Sequence, residues 1–309
     1  MKHKILLFYF LLSGFQSLMA QNWKADLQQQ KGFIENKGQF VRLVKDPQQQ
    51  DILFSFDGGN EDYFFTRKGH VLVYSLKEKR QKSQEEKAQR QERKKEGFKS
   101  LKEWQEFEKQ GERIALTQDE LSCIWLNANP NVELIPSEKN SFTHSYLINS
   151  GNKQQKSIHN IPSYRKLTYK NLYPNIDLVY EFHPQGGLKY SLVLHPGANP
   201  QNIQLQYSKD ARLQGDGSIL TATLFGDIKD HKPVTFYANN HQQGISSSYW
   251  VQQNIIRFQL GAYNPQESII IDPWTQSPAF NTNWDCVWEC EKDGLGNVYI
   301  IVGLCHFNY

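Results

Sequence analysis

Short apolar and aromatic segments, separated by turn residues, run through most of this 309-residue chain. From residue 121 to residue 271 the gaps hold Gly, Asn, Asp and Pro at fairly regular spacing, and no long helical pattern alternates with the segments. This arrangement is typical of antiparallel sheets packed as a sandwich rather than of a parallel α/β sheet. We therefore predict an all-β fold of antiparallel, β-sandwich-like modules. The predicted strands are Leu121–Leu126, Phe142–Ile148, Ile176–Phe182, Leu188–Leu194, Ile203–Tyr207, Ile219–Phe225, Tyr249–Gln252, Ile255–Leu260 and Ser268–Ile271.

The segment before residue 77 predicts a β-meander, because three apolar runs are separated by the turns 57–60 and 67–69. The three runs are Ile52–Phe56, Tyr63–Thr66 and Val71–Leu76.

One hairpin can be predicted with its register. The even positions of Ile176–Phe182 and of Leu188–Leu194 are all apolar or aromatic, and a turn at 183–187 connects the two runs. Pairing Tyr180 with Tyr190 places every even side chain on one face, whereas a shift of one residue would reverse the faces. We predict this register.

The same register sets Glu181 opposite Lys189, a cross-strand pair that contributes roughly 0.2–1 kcal/mol. The segment 213–219, with Gly215 and Gly217 in its centre, predicts a second tight hairpin.

Residues 77–113 differ from the rest of the chain, with 13 basic and 9 acidic residues and no Pro. We predict one long charged helical insertion between two strands, exposed to solvent. Phe98, Leu101, Trp104 and Phe107 form a stripe through which its second half can pack. The alternative interpretation is a basic amphipathic surface for a membrane or a partner.

The insertion also explains the overall charge. The remaining 272 residues hold 22 basic and 23 acidic residues, so they offer no surface that would follow a nucleic-acid backbone. A mean hydropathy of −0.65 with one short apolar run excludes a polytopic membrane protein.

That apolar run predicts a secretory signal peptide over residues 1–20. Lys2 and Lys4 precede the apolar segment Ile5–Leu12, and Ala20 offers a cleavage point before Gln21. We expect an exported chain without a transmembrane span.

The four cysteines are unevenly placed, because Cys123 stands apart from Cys286, Cys290 and Cys305. Cys286 and Cys290 lie four residues apart in a predicted strand, about 13 Å, which disfavours zinc ligation. Either a Cys286–Cys305 disulfide or buried thiols fit this pattern, and no metal or cofactor is predicted.

Motifs for catalysis are missing. No nucleophile, metalloprotease or nucleotide-binding motif occurs, and Asp177 and Glu181 lie too far apart along one strand to form a glycosidase pair. Aromatic residues remain as a weak signal for a sugar- or protein-binding platform, with core packing as the alternative. They are Tyr164, Tyr169, Tyr173, Trp250, Trp274, Trp284 and Trp288.

Four separated motifs carry a family resemblance. They are residues 33–40 (FIENKGQF), 164–182 (YRKLTYKNLYPNIDLVYEF), 188–207 (LKYSLVLHPGANPQNIQLQY) and 271–274 (IDPW). In this order they resemble the amino-terminal β-rich module that precedes SBBP-type beta-propeller repeats in large secreted bacterial proteins. Many such proteins end in a sorting domain for type IX secretion. The resemblance implies no catalytic residues, and the insertion at 77–113 lies outside it.

Within the first motif, Glu35, Asn36, Lys37 and Gln39 are weak candidates for ligand binding. They are polar for a strand, so a structural turn that fastens the amino terminus to the sheet is the preferred interpretation.

The signal-peptide pattern and the resemblance together predict the domain organisation. We expect a signal peptide at 1–20, a β-rich module at 21–274, and part of a first propeller-like repeat at 275–309. In that last part Trp284–Glu291 and Asn297–Leu304 predict a hairpin. The expected location is extracellular or cell-surface, or periplasmic if a sorting domain has been lost by truncation.

The expected function is a secreted, non-enzymatic β-module with a scaffold, adhesion or binding role toward an unidentified protein or glycan at the cell surface. The alternative is a carbohydrate-active or other hydrolytic enzyme whose site is assembled from distant strands.

Overall fold

A computed structural model describes residues 31–40, 51–79, 83–111, 114–149, 155–278, 285–292 and 298–304. The fold is all-β, as predicted; the two α-helices among these described residues lie in the charged insertion, and a short 3-10 helix is formed by Pro200–Asn202. Helix α1 is Gln84–Glu96 and helix α2 is Leu101–Gly111. The strands are β1 Phe33–Glu35, β2 Phe54–Asp57, β3 Glu61–Thr66, β4 Gly69–Lys79, β5 Ile114–Trp125, β6 Glu133–Asn149, β7 Gln155–Tyr173, β8 Ile176–Phe182, β9 Leu188–Leu194, β10 Leu205–Tyr207, β11 Ala211–Leu213, β12 Ile219–Thr223, β13 Gly226–Asp230, β14 Val234–Tyr237, β15 Asn240–Ile245, β16 Ser247–Gln252, β17 Ile255–Leu260, β18 Ile269–Asp272, β19 Thr275–Gln276, β20 Asp285–Lys292 and β21 Val298–Leu304.

One large antiparallel sheet dominates the fold. Its strands follow the order β15-β14-β18-β9-β8-β7-β1-β2-β3-β4-β5-β10-β17-β16, and β6 pairs with β7 beside this path. The two end strands, β15 and β16, are consecutive in the chain and separated only by Ser246. The sheet therefore turns back on itself, so that its two halves face each other across a common core.

Aromatic and polar contacts across this core connect the two halves. Tyr180 of β8 lies 5.3 Å from the Phe65 ring of β3, measured between ring centroids. The Trp125 ring of β5 lies 6.1 Å from the Tyr190 ring of β9. These contacts are the interior of a sandwich, as predicted.

Strands β3 and β4 are buried on both faces. Tyr63 and Phe65 alternate with Phe64, and the first two pack into the main core while Phe64 packs into a second cluster on the opposite face. The β6–β7 hairpin covers this second cluster through Ile161, with Tyr146 packed beside it. A strand covered on both sides explains the continuous apolar run YFF at 63–65.

Strand β7 was not predicted, although it is the longest strand. Its buried residues Ile161, Ser163, Leu167 and Tyr169 all lie at odd positions, but the exposed Arg165 interrupts the alternation and polar residues before and between them hide it. Strand β6 begins nine residues before the predicted Phe142 for the same reason.

The register predicted for β8 and β9 is confirmed, with Tyr180 opposite Tyr190. Glu181 also lies opposite Lys189, but their ion pairs run to neighbouring strands. Glu181 lies 3.4 Å from Lys166, and Lys189 lies 3.0 Å from Asp272. Glu181 and Lys189 are therefore register partners, as predicted, but each of them forms its ion pair with a residue on another strand.

The other two predicted hairpins are also confirmed. Leu213 pairs with Ile219 at the start of a separate four-stranded sheet, β11-β12-β13-β19. Strands β20 and β21 form a two-stranded sheet with Asp285 opposite Leu304.

The charged insertion lies between two paired strands, as predicted, but its form differs. Lys79 of β4 pairs with Ile114 of β5, so residues 77–79 belong to the sheet. Two helices replace the single predicted helix, because Gly97 ends α1 with a φ of 75°. Helix α1 begins with a capping box between Ser83 and Glu86 and buries no residue.

Candidate binding cleft

A cleft of about 560 Å³ lies between the β3–β4 turn and the loop that follows β5. Arg67 and Lys68 line it from the turn, Asn131 and Glu133 from the loop, and Asp51 from the segment before β2. Its volume falls in the range of about 300–1,000 Å³ that is usual for small-molecule sites. Because cations and carboxylates share one cleft, it suits a polar ligand that offers both donors and acceptors.

Hydrogen bonds fix the backbone of the turn. The Lys68 amide donates to Thr66 Oγ1 at 3.1 Å, and the Trp125 amide donates to the Lys68 carbonyl at 2.8 Å. Behind the turn, the Tyr169 hydroxyl donates to the Thr66 carbonyl at 2.7 Å. The exposed side chains of Arg67 and Lys68 thus project from a rigid support.

The loop on the other side is anchored in a similar way. The Asn129 amide donates to the Leu172 carbonyl at 2.9 Å, and its side-chain oxygen accepts from the Asn131 amide at 3.0 Å. Val132 is buried, which holds the loop against the core just before Glu133. A smaller cleft of about 220 Å³ shares Arg67 with the first one.

Sequence reasoning missed this cleft. The signal available was a turn at 67–69 and, separately, a cluster of Asn and Pro at 127–131. Nothing local indicates that the two segments meet, because their contact depends on the pairing of β4 with β5.

The carboxylates considered in the sequence do not form a catalytic pair. Asp177 is buried and accepts hydrogen bonds from Lys170 Nζ at 2.6 Å and from the Asn171 amide at 2.7 Å, and His195 Nε2 lies 2.9 Å away. Burial raises the pKa of Asp177, but these hydrogen bonds outweigh it and hold the pKa below its usual value. Glu181 is bound to Lys166 instead.

The polar motif at 35–39 forms a closed turn. Asn36 donates from Nδ2 to the Ile52 carbonyl at 2.8 Å, and its Oδ1 accepts from the Gly38 amide at 2.9 Å. Gln39 Nε2 donates to the Glu35 carbonyl at 2.7 Å, and Lys37 forms an ion pair with Glu35. These contacts fasten β1 to the segment that enters β2, which is the role preferred for the motif.

Trp274 differs from an open aromatic platform. Its indole ring is stacked between the imidazoles of His183 and His231, at centroid distances of 3.8 and 4.0 Å. Both faces of the indole are covered, so this ring cannot stack on a sugar. The stack joins the β8–β9 turn to the end of β13 and therefore connects the two sheets.

The other aromatic candidates have varied positions. Tyr169 and Tyr173 are buried in the core, and Tyr164 packs against it. The Arg257 guanidinium lies over the ring of Trp250 at 5.2 Å. The side chains of Trp284, Trp288, Cys286, Cys290 and Cys305 lie outside the described residues.

Asp230 and His70 are among the titratable groups with strongly shifted pKa values that lie inside the core rather than at the cleft. Burial raises the pKa of Asp230 from 3.8 to about 7, although the hydroxyls of Tyr207 and Tyr190 lie 2.8 and 3.3 Å from its carboxyl group. Burial also lowers the pKa of His70 to about 3. The Cys123 thiol is buried as well, and burial raises its pKa.

Among the described residues, no helix is long and apolar enough to cross a membrane.

A family model described as a domain of unknown function, DUF7948, matches residues 33–274. No curated protein and no solved structure matches the chain. The matched segment runs from the first residue of β1 to Trp274 and covers most of the chain. The chain therefore belongs to the DUF7948 family.

Proposed function

We propose that this chain is a secreted, non-enzymatic β-module of a cell-surface or extracellular protein, and that it binds a glycan or a protein segment in the cleft beside Arg67 and Lys68. The observation that carries the proposal is the cleft itself, where charged side chains project from hydrogen-bonded turns. Preorganised groups of this kind favour binding because little ordering is needed when the ligand arrives.

The position of the shifted groups supports binding over catalysis. Asp230 and His70 are buried in the core, with tyrosine hydroxyls beside them, and neither lines the described cleft. Catalytic acids and bases, by contrast, must reach a substrate. We assign both groups a role in specifying the core.

The proposed location rests on the amino-terminal sequence. Lys2, Lys4 and the apolar run Ile5–Leu12 have the pattern of a signal peptide, and residues 1–20 lie outside the described structure. The resemblance to modules that precede SBBP-type repeats supports a place in an exported, surface-associated protein, with type IX secretion as the proposed route.

A glycan array, run beside a panel of extracellular protein ligands, tests the proposal. Arg67→Ala/Lys68→Ala should weaken binding by at least about 10-fold, because hydrogen bonds to charged groups contribute roughly 1.5–3 kcal/mol. The matched control is Arg212→Ala/Lys232→Ala, which removes two exposed cations that do not line the cleft. Equal binding by the cleft variant and the control would show that the ligand binds elsewhere.

Hydrolysis is the second candidate function. It is favoured by one observation: Asp51 and Glu133 line the same cleft, and glycoside hydrolysis requires two carboxyl groups across the scissile bond. In a hydrolase screen, turnover that disappears in both Asp51→Asn and Glu133→Gln, but persists in Asp57→Asn, would establish this function and overturn the binding proposal.

A further inference from the structure

The two helices of the insertion form a preassembled hairpin. The Arg90 guanidinium donates to the Phe107 carbonyl at 3.0 Å and lies over the Phe107 ring at 3.9 Å. Arg93 forms an ion pair with Glu103 at 2.6 Å, which links the end of α1 to the start of α2. We call residues 93–104, where the helices meet, the hairpin tip.

The hairpin tip carries an exposed apolar pair. Phe98 packs against Phe107 with ring centroids 5.0 Å apart, but Leu101 is 70% exposed and Trp104 is 45% exposed. Leu101 and Trp104 lie three residues apart on one helix, so they are neighbours on the same face. The contacts between the helices therefore leave a small apolar surface facing solvent.

Positive charge predominates at the hairpin tip. The hairpin tip has five basic and two acidic residues, and Arg93 pairs with both carboxylates, those of Glu96 and Glu103. The side chains of Lys95, Lys99 and Lys102 are exposed to solvent. Outside residues 77–113 the chain is slightly acidic, so its positive potential is concentrated on the insertion.

From these observations we infer that the hairpin tip docks on the surface of an anionic lipid bilayer. Leu101 and Trp104 enter the interface between headgroups and acyl chains, where Trp is favoured, and the three lysines contact anionic headgroups. A fluid surface suits two exposed apolar side chains on the same short segment as exposed lysines, because it needs no shape complementarity. This surface is separate from the proposed binding cleft, so each can fail without the other.

Cosedimentation of the full chain with vesicles tests the inference. We expect binding to phosphatidylcholine vesicles that contain 25 mol% phosphatidylglycerol, weaker binding to pure phosphatidylcholine, and a loss of the difference at high salt. Lys95→Gln/Lys99→Gln/Lys102→Gln should lower the affinity on the order of 100-fold, given the usual contribution of each surface lysine. Leu101→Ser/Trp104→Ser should lower it on the order of 10-fold.

Matched controls separate the hairpin tip from general charge and from the amino terminus. Lys139→Gln/Lys156→Gln/Lys232→Gln and Leu224→Ser remove exposed residues elsewhere and should bind as the wild type does. Every variant keeps the same amino terminus, so differences between variants report on the tip. Tip variants that bind vesicles like the wild type would overturn the inference. Binding to polyglutamate but not to anionic vesicles would replace the bilayer with an acidic protein partner.

Discussion

At the scale of single residues, the buried Tyr180 hydroxyl connects two other core side chains, Trp125 and His70. Trp125 Nε1 donates to the Tyr180 hydroxyl at 2.9 Å, and His70 Nδ1 lies 3.1 Å from the same oxygen. An indole N–H can only donate, so the Tyr180 oxygen accepts the bond from Trp125. Burial lowers the pKa of His70 to about 3, so its imidazole is neutral near pH 7.

Asp230 allows a prediction about pH. Because its folded-state pKa is about 7, the folded chain holds a proton between about pH 4 and pH 7 that the unfolded chain releases. Its contribution to stability is therefore fully present below pH 4 and is lost as pH rises through 7, by at most on the order of 4 kcal/mol. In Asp230→Asn this loss disappears, so from pH 5 to pH 8 the variant should gain stability relative to the wild type in urea unfolding.

Asp227→Asn is the control for this measurement, because Asp227 lies on the same strand and is exposed. If the free energies of unfolding of the wild type and of Asp230→Asn changed in parallel from pH 5 to pH 8, the Asp230 carboxyl group would already be ionised in the folded chain over that range.

Gly187 gives a second residue-scale prediction. Its φ is 79°, and a Cβ atom there would lie 1.8 Å from the Thr275 carbonyl oxygen. Gly187→Ala should reduce the free energy of unfolding by about 2–4 kcal/mol, because it combines a left-handed backbone with a clash between the β8–β9 turn and β19. Gly186→Ala is the matched control, since Gly186 also has a positive φ but has open space around it. If Gly187→Ala and Gly186→Ala lost equal amounts of unfolding free energy, the close approach of Gly187 to Thr275 would contribute nothing to the cost.

At the scale of elements, the insertion shows that a long segment can be added to a sheet without joining its core. The eleven residue pairs of β4 and β5 continue to the base of the helices, ending at Lys79 and Ile114. Helix α1 buries no residue, and the contacts that hold the helices run between them.

Replacing residues 80–113 with a short Gly/Ser loop should therefore leave the sheet folded. Long surface insertions cost little loop entropy, and Lys79 and Ile114 are already register partners. We expect cooperative thermal unfolding with a midpoint close to that of the full chain. A broad, non-cooperative transition would mean that the helices stabilise the core.

At the scale of the whole molecule, the sheet order explains how distant segments are joined. The four-stranded sheet meets the large sheet through the IDPW motif. There Asp272 binds Lys189, the Pro273 carbonyl accepts from the Tyr190 amide at 3.1 Å, and Trp274 is stacked between His183 and His231. The motif thus ends the matched family segment by connecting its two sheets.

Beyond this junction, β20 and β21 form a sheet of their own, and an isolated two-stranded hairpin is marginal in water. We expect limited proteolysis to cut between residues 278 and 284, after β19, the last strand of the four-stranded sheet, and to leave the segment 31–276 intact. Mass spectrometry of the fragments checks this. Digestion within residues 31–276 at protease levels that leave residues 278–284 uncut would instead show that the β20–β21 hairpin is packed into the fold.

The sequence by itself determined the all-β class, the position of the insertion and the register of β8 with β9. Each depends on local information: alternation of apolar residues, turn residues, and a change in composition. Only the tertiary structure decided that the apolar run at 63–65 is covered on both faces, that both faces of Trp274 are covered by imidazoles, and that Arg67 and Glu133 line one cleft. Those outcomes depend on pairing between strands far apart in the chain, such as β1 with β7, which no local pattern specifies.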